Sequence, residues 1–304
     1  MSGNPGRRLL ALALSAVAVL APAASHAQRE PDSATCASRL RRSTADSIEL
    51  DLRLWVHAFD MTQSLPPSYA EMVAEGVRQF MVLPMAIPAD VYDGRSGHLA
   101  GPVIQGEYRA FLHHDGHLTQ GRVVGGTLNP VFDGAILRAI VGLDSSLMLP
   151  PLDSLTLLGE DSVDVDIVLG VGALPAIRTD PERFAMNLGT VPLIRIRLPQ
   201  REVTKAVSPA AGNMPPIYPP GASRVLRHGE VSIQFVVRAD GKPDMRTAEP
   251  QDATAPAFAT MALEALQHYH YTPLHVEGCA VPGLVVQPFE FRADTSDHTG
   301  GGFR

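Results

Sequence analysis

The chain has 304 residues, of which 45% are hydrophobic and 19% charged, enough apolar material for one large or two small cores. Its 25 Lys and Arg stand against 32 Asp and Glu, a formal charge of -7 with no basic block, which argues against a nucleic acid or an anionic lipid surface as partner. The 26 Gly and 26 Pro, with few aromatics, point to short strands and many turns rather than a helical bundle.

Arg7 and Arg8 precede an apolar run from Leu9 to Leu20, followed by Pro22 and the small-residue site Ser25-His26-Ala27. That order predicts a signal peptide over 1–27, cleaved to leave Gln28 first. The competing reading is an uncleaved membrane anchor, but the run is shorter than the roughly 20 residues that span a bilayer. In an oxidising compartment Cys36 and Cys279 either form a disulfide or remain two buried thiols, and both readings stay open.

After a polar lead, Ile48, Leu50, Leu52, Leu54, Val56 and Ala58 alternate with Glu49, Asp51, Arg53, Trp55 and His57, which predicts a strand with one buried face. Ser68 and Glu71 have the spacing of a capping box, and Tyr69, Met72, Val73, Val77 and Phe80 follow as a helix stripe ended by Pro84. Tyr108, Ala110 and Leu112 alternate up to Asp115-Gly116, and Leu118 to Val124 return, predicting a hairpin. Asn129 then caps a helix with Pro130 first and Phe132, Ala135, Ile136, Ala139, Ile140 and Leu143 inward. Val163, Val165, Ile167 and Leu169 close the unit as a strand, with Asp161, Asp164 and Asp166 expected on a solvated face.

The last third repeats this order. Ile233, Phe235 and Val237 lead to the turn Asp240-Gly241, Phe258, Met261, Ala262, Ala265, Leu266 and Tyr269 form a helix stripe behind Pro256, and a strand runs from Leu284 to Phe291. Gly116 and Gly241, Phe132 and Phe258, and Pro150 and Pro273 are each about 125 residues apart, a spacing that suggests a diverged internal duplication. The expected plan is an α+β domain over 28–198, a Pro-containing linker over 199–212, a second α+β domain over 213–292, and a disordered tail over 293–304.

The segment from Asn213 to Arg292 resembles the C-terminal domain of the TonB family, the energy transducer of outer-membrane transport. The resemblance rests on Pro216-Ile217-Tyr218-Pro219, Gly229-Glu230-Val231, Asp240-Gly241, Tyr269-His270-Tyr271-Thr272-Pro273, Gly278 and Phe289-Glu290-Phe291, arriving in the family's order. The motif residues are thus Tyr218, Pro219, Gly229, Asp240, Gly241, Tyr271 and Pro273. It implies an αββαβ fold, with a three-stranded sheet whose open edge takes up an extended peptide, the TonB box of an outer-membrane receptor, by backbone pairing. The pairing strand would comprise Leu284, Val285, Val286, Gln287, Pro288, Phe289, Glu290 and Phe291. Two departures from the family stand out: Met214 replaces a common Gln, and Pro288 removes one N–H from the pairing strand.

Export by the cleaved signal peptide makes this a periplasmic protein, with inner-membrane anchoring as the alternative, and the resemblance implies a protein partner, a TonB-dependent outer-membrane receptor. Two open edges also allow pairing with a second copy, a homodimer. The alternative function is a structural envelope adaptor that binds peptidoglycan or a scaffold protein without a transport role. No enzyme, cofactor or metal site is expected. His113, His114 and His117 surround a hairpin tip, His268, His270 and His275 fall on ordinary family positions, and Gly94-Arg95-Ser96-Gly97-His98 lacks the strand-to-helix elbow of a nucleophile.

Overall fold

The computed structural model describes residues 33–42, 47–59, 65–84, 87–88, 104–127, 129–146, 149–152, 160–173, 194–220, 222 and 227–293. The expected signal peptide 1–27, the loop Gly94 to His98 and residues 294–304 lie outside them. Among the described residues no helix is long and apolar enough to cross a membrane.

In chain order the elements are α1 (Ser33–Arg41), β1 (Ser47–Ala58), α2 (Pro67–Phe80), β2 (Ile87–Pro88), β3 (Ile104–His113), β4 (Leu118–Gly125), α3 (Pro130–Ser146), β5 (Ser162–Ala173), β6 (Ile194–Arg201), β7 (Val203–Lys205) and β8 (Ser208–Pro209). There follow β9 (His228–Val237), β10 (Pro243–Ala253), α4 (Pro256–Leu266), β11 (Tyr271–Thr272), β12 (Leu274–Val276), β13 (Cys279–Val281) and β14 (Gly283–Arg292). The fold is α+β, and the described residues form one compact unit.

A six-stranded sheet has the order β2-β6-β1-β5-β3-β4, and a three-stranded sheet the order β10-β9-β14. The alternation in β1 buries Leu52, Leu54 and Val56, which join Tyr108, Ala110, Val165 and Ile167 under the apolar stripes of α2 and α3. Asn129 caps α3 as expected, its Oδ1 accepting the Val131 N–H at 3.0 Å. The capping box at Ser68 and Glu71 does not form. Pro66 is the N-cap and Pro67 the first helical residue, so α2 starts on a preset proline φ and Ser68 lies already inside the first turn.

The second core gathers Val231, Ile233, Phe235, Phe258, Leu266, Phe289 and Phe291 between α4 and one face of the small sheet. The opposite face is covered too. Val236 and Leu284 pack into the first core, and α3 runs against β14 and β4.

The two units share a topology: β4-β3-β5 and β10-β9-β14 are antiparallel, with α3 and α4 as the connections to their last strands. They differ at one edge. β1 lies antiparallel on β5 from Leu50 opposite Ala173 to Ala58 opposite Val165, whereas the corresponding side of β14 carries no strand among the described residues.

Residues 199–212, where the composition suggested a linker, end β6 and supply β7 and β8, which pair with β12 and β11. Proline's fixed φ suits both a free extended chain and a short strand, so proline content does not separate the two. The polar lead likewise holds a helix, α1, tied to β13 by the disulfide Cys36–Cys279 with Cα atoms 5.5 Å apart.

Candidate functional site

The expected pairing strand lies in β14, at the edge of the small sheet and bonded on one side to β9, from Gly283 opposite Val237 to Arg292 opposite His228. The backbone N–H of Ala293 donates to the carbonyl of Arg227 at 3.0 Å, one position beyond that ladder. Hydrogen-bonded pairs alternate in an antiparallel ladder, so Phe291, Phe289, Gln287 and Val285 bond inward to β9. Leu284, Val286, Pro288, Glu290 and Arg292 therefore turn their backbone groups outward. The same alternation appears on the far side of β9, where the N–H of Val236 turns toward β10 and donates to Thr247 Oγ1 at 2.9 Å.

This edge is not uniform. At its start, α3 crosses closely, so that a Cβ on Gly134 would sit 3.4 Å from the Leu284 nitrogen. In its middle, Pro288 has no N–H to offer, and its carbonyl already accepts the Gln287 side-chain amide at 2.9 Å. Outward donors therefore remain at Val286, Glu290 and Arg292. Val286 is 56% exposed, and the Glu290 carboxylate pairs with the Arg292 guanidinium at 3.2 Å on the same strand face. Proline at an outward edge position is one of the few places a strand tolerates it, and it limits uncontrolled edge pairing.

The motif residues occupy the frame behind the edge. Tyr218 stacks edge-on to Phe258 and Phe291, with ring centroids 5.5 and 6.4 Å apart, and Phe258 meets Phe291 at 4.9 Å. Gly229 lies under that cluster because a Cβ there would overlap the Phe258 ring. Gly241 has φ +79°, and a Cβ on it would overlap the carbonyl of Tyr271, whose N–H donates to the Gly241 carbonyl at 2.8 Å. Burial acts to raise the Asp240 carboxyl, but the Lys242 N–H and the Arg238 guanidinium outweigh it and hold the group below its ordinary value. Burial, and then neighbouring Tyr269, push the Tyr271 hydroxyl well above its usual range. Pro219 is buried beside Tyr218 in the chain, and Pro273 lies next to the Gly241 turn. Met214, the departure from the family pattern, is 79% exposed.

The remaining candidates separate. His113 Nε2 bonds Thr119 Oγ1 and His117 Nδ1 bonds Asp144 Oδ1, each at 2.8 Å. His275 is buried against the Pro273 carbonyl, while His268 and His270 are exposed. The described residues contain no group of three or more His, Cys, Asp or Glu placed to hold a metal ion. Asp166 departs from its expected solvated face. It is 3% exposed and holds Arg109, its cross-strand neighbour, at 2.7 Å beneath the Phe59 ring.

Two polar contacts were invisible in the sequence pattern. Asn213 bonds both the N–H and the carbonyl of His270 through its side chain, anchoring the entry to the second unit. Gln287 covers the Pro288 carbonyl. Neither has a periodic signal, because each is set by the backbone's local path.

No curated protein matches the chain. Residues 214–293 match the family model of the Gram-negative bacterial TonB protein C-terminal. The matched span begins at the exposed Met214 and ends at Ala293, the residue whose N–H bonds to Arg227 just beyond the β14 ladder. At residues 214–293 this chain carries a domain that matches the TonB C-terminal family.

Proposed function

We propose that the protein binds an extended segment of a partner protein by adding it as a strand to the outward edge of β14. It does so on the periplasmic side of the outer membrane, in TonB-dependent transport, and without catalysis of its own. The observation that carries this reading is the contrast between equivalent edges: β5 holds β1 on the side where β14 holds nothing among the described residues. The same architecture thus accepts a further strand at that position within the chain itself. Backbone hydrogen bonds would supply affinity, and Val286, Glu290 and Arg292 would supply the donors. A TonB-dependent outer-membrane receptor, through its TonB box, is the partner the domain family favours.

The test is amide exchange on the full chain while receptor-derived TonB-box peptides are titrated. The reading expects slowed exchange at Val286, Glu290 and Arg292 with little change at the inward Gln287 and Phe289. Unaltered exchange at those three amides at saturating peptide would overturn it. Retention on purified cell-wall sacculi in that case would support the envelope-adaptor function, which the built-in segment 199–212 also suits, since it leaves little free spacer between the sheets.

A further inference from the structure

A cavity of about 220 Å³ lies where α1, the end of α2, α3 and the β12–β13 hairpin meet, just ahead of the start of β14. Its walls are apolar, including Leu40, Leu83, Val131, Val276 and Val281, with one charged side chain, that of Arg138. Cavities of roughly 150 Å³ already hold benzene, so this one has room for a ring or a chain of about six to ten carbons.

Arg138 is poorly matched by its own protein. Its Nε donates to the Gly134 carbonyl at 3.3 Å, and no other hydrogen bond of its guanidinium is formed among the described residues. Asp244 is near enough to favour its charge, but that carboxylate is held by both arms of Arg246, at 3.1 and 3.0 Å, and Arg246 adds a like charge. A guanidinium stays protonated in proteins, and a half-buried cation without a full counter-charge is costly unless something else supplies one. The fork also presents paired N–H donors in the geometry that a carboxylate accepts.

We propose that this cavity binds a small amphiphile with an apolar body and one carboxylate head, the body lying among Leu40, Val131 and Val276 and the head against Arg138. The disulfide contributes by holding α1, and so Leu40, in the cavity wall. The site uses none of the outward backbone donors of β14.

The experiment uses the full oxidised chain with three probes that share a ten-carbon chain, decanoate, decanol and decyltrimethylammonium, followed by calorimetry. Decanoate is expected to saturate one site, decanol to bind more weakly and the cation not at all. Arg138→Gln should weaken decanoate by about ten- to a hundredfold and leave decanol unchanged, and Arg138→Lys should restore part of the loss. Ala280→Leu, which fills the cavity, should abolish binding of both decanoate and decanol. Absence of saturable decanoate binding, equal affinity in the Arg138→Gln variant, or binding that survives Ala280→Leu would each overturn the proposal. A decanol affinity that is equal in wild type and Arg138→Gln shows that the variant is still folded around the cavity.

Discussion

Gln234 and Val123 tie the two sheets together through a single side chain. Gln234, on β9, accepts the Val123 N–H through Oε1 at 3.0 Å and donates Nε2 to the Gly121 carbonyl at 3.3 Å, while only 1% exposed. An amide buried on the outer face of a strand thus completes the backbone hydrogen bonding of β4. Gln234→Leu keeps the volume but leaves the Val123 N–H without its partner, at a cost of about 1–3 kcal/mol in denaturant unfolding. Gln234→Glu replaces the Gly121 donor by a second acceptor and is expected to cost at least as much. A loss below about 0.5 kcal/mol in both variants would mean that this contact does not hold the sheets together.

The Cys36–Cys279 bond closes a separation of 243 residues. Both sulfurs sit in a small cluster with Leu40 and Val276, apart from the two main cores. Reduction, or the double change Cys36→Ser and Cys279→Ser, is expected to cost about 2–4 kcal/mol. The loss should be local at first: amide exchange rises in α1 while β1, β3 and β5 keep their protection. Uniform exchange throughout the chain after reduction would contradict a local role.

Asp133 is a buried carboxylate whose Oδ1 accepts the Tyr108 hydroxyl at 2.7 Å, the Thr127 N–H at 2.9 Å and the Thr127 hydroxyl at 2.8 Å. Burial raises its pKa, and these three donors offset that only in part. Because the folded value lies above the unfolded one, the folded state binds more protons, and stability falls as pH rises from about 4 through the folded value. Asp133→Asn removes the charge and retains an acceptor, so its stability relative to wild type should improve across that window. Asp133→Ala should lose about 1–3 kcal/mol at neutral pH, because three donors lose their acceptor. Urea unfolding of the three proteins between pH 4 and 7 separates these outcomes.

His117 shifts in the same direction from a different cause. Its hydrogen bond to Asp144 raises the imidazole pKa, aided by the charge of Asp115. The charged form is favoured by the fold, so this contribution is full below the ordinary imidazole value of about 6.5 and is lost as pH rises through the folded value. Asp144→Asn should return His117 toward its ordinary value in an NMR titration. An unchanged titration would show that Asp144 is not its partner in solution.

What the sequence made legible follows from periodicity. Leu52, Leu54 and Val56 alternate because one face of β1 is buried, Phe132 to Leu143 recur at helical spacing, and Asp115-Gly116 and Asp240-Gly241 supply turns whose glycines have φ +88° and +79°. Motifs such as Gly229 and Tyr218 were legible as a pattern, but their role in packing around Phe258 was not, since that contact joins residues far apart in the chain. The extended strands β7 and β8 are too short to show alternation. Asp166 was misplaced on a solvated face because its neighbour Arg109 comes from another strand, and cross-strand partners have no spacing in the sequence. The outward edge of β14 was visible only as a family expectation. Its alternation came from one bond, Ala293 to Arg227.

Pro288 makes the most direct test of strand addition. It stands at an outward position, where its missing N–H removes a donor in the middle of the edge without disturbing the ladder to β9. Pro288→Val restores that donor and adds a residue suited to a strand. A peptide pairing across this position should bind about two- to tenfold more tightly, the effect of one further backbone hydrogen bond. The same change should raise self-association in analytical ultracentrifugation, because a continuous edge can pair with its copy as readily as with a peptide. Pro288 thus restrains the edge, and the Gln287 side chain occupies its carbonyl. If the variant binds peptide no better and remains as monomeric as the wild type, the partner does not pair across residue 288, and recognition must be confined to Glu290 and Arg292 or to Val286.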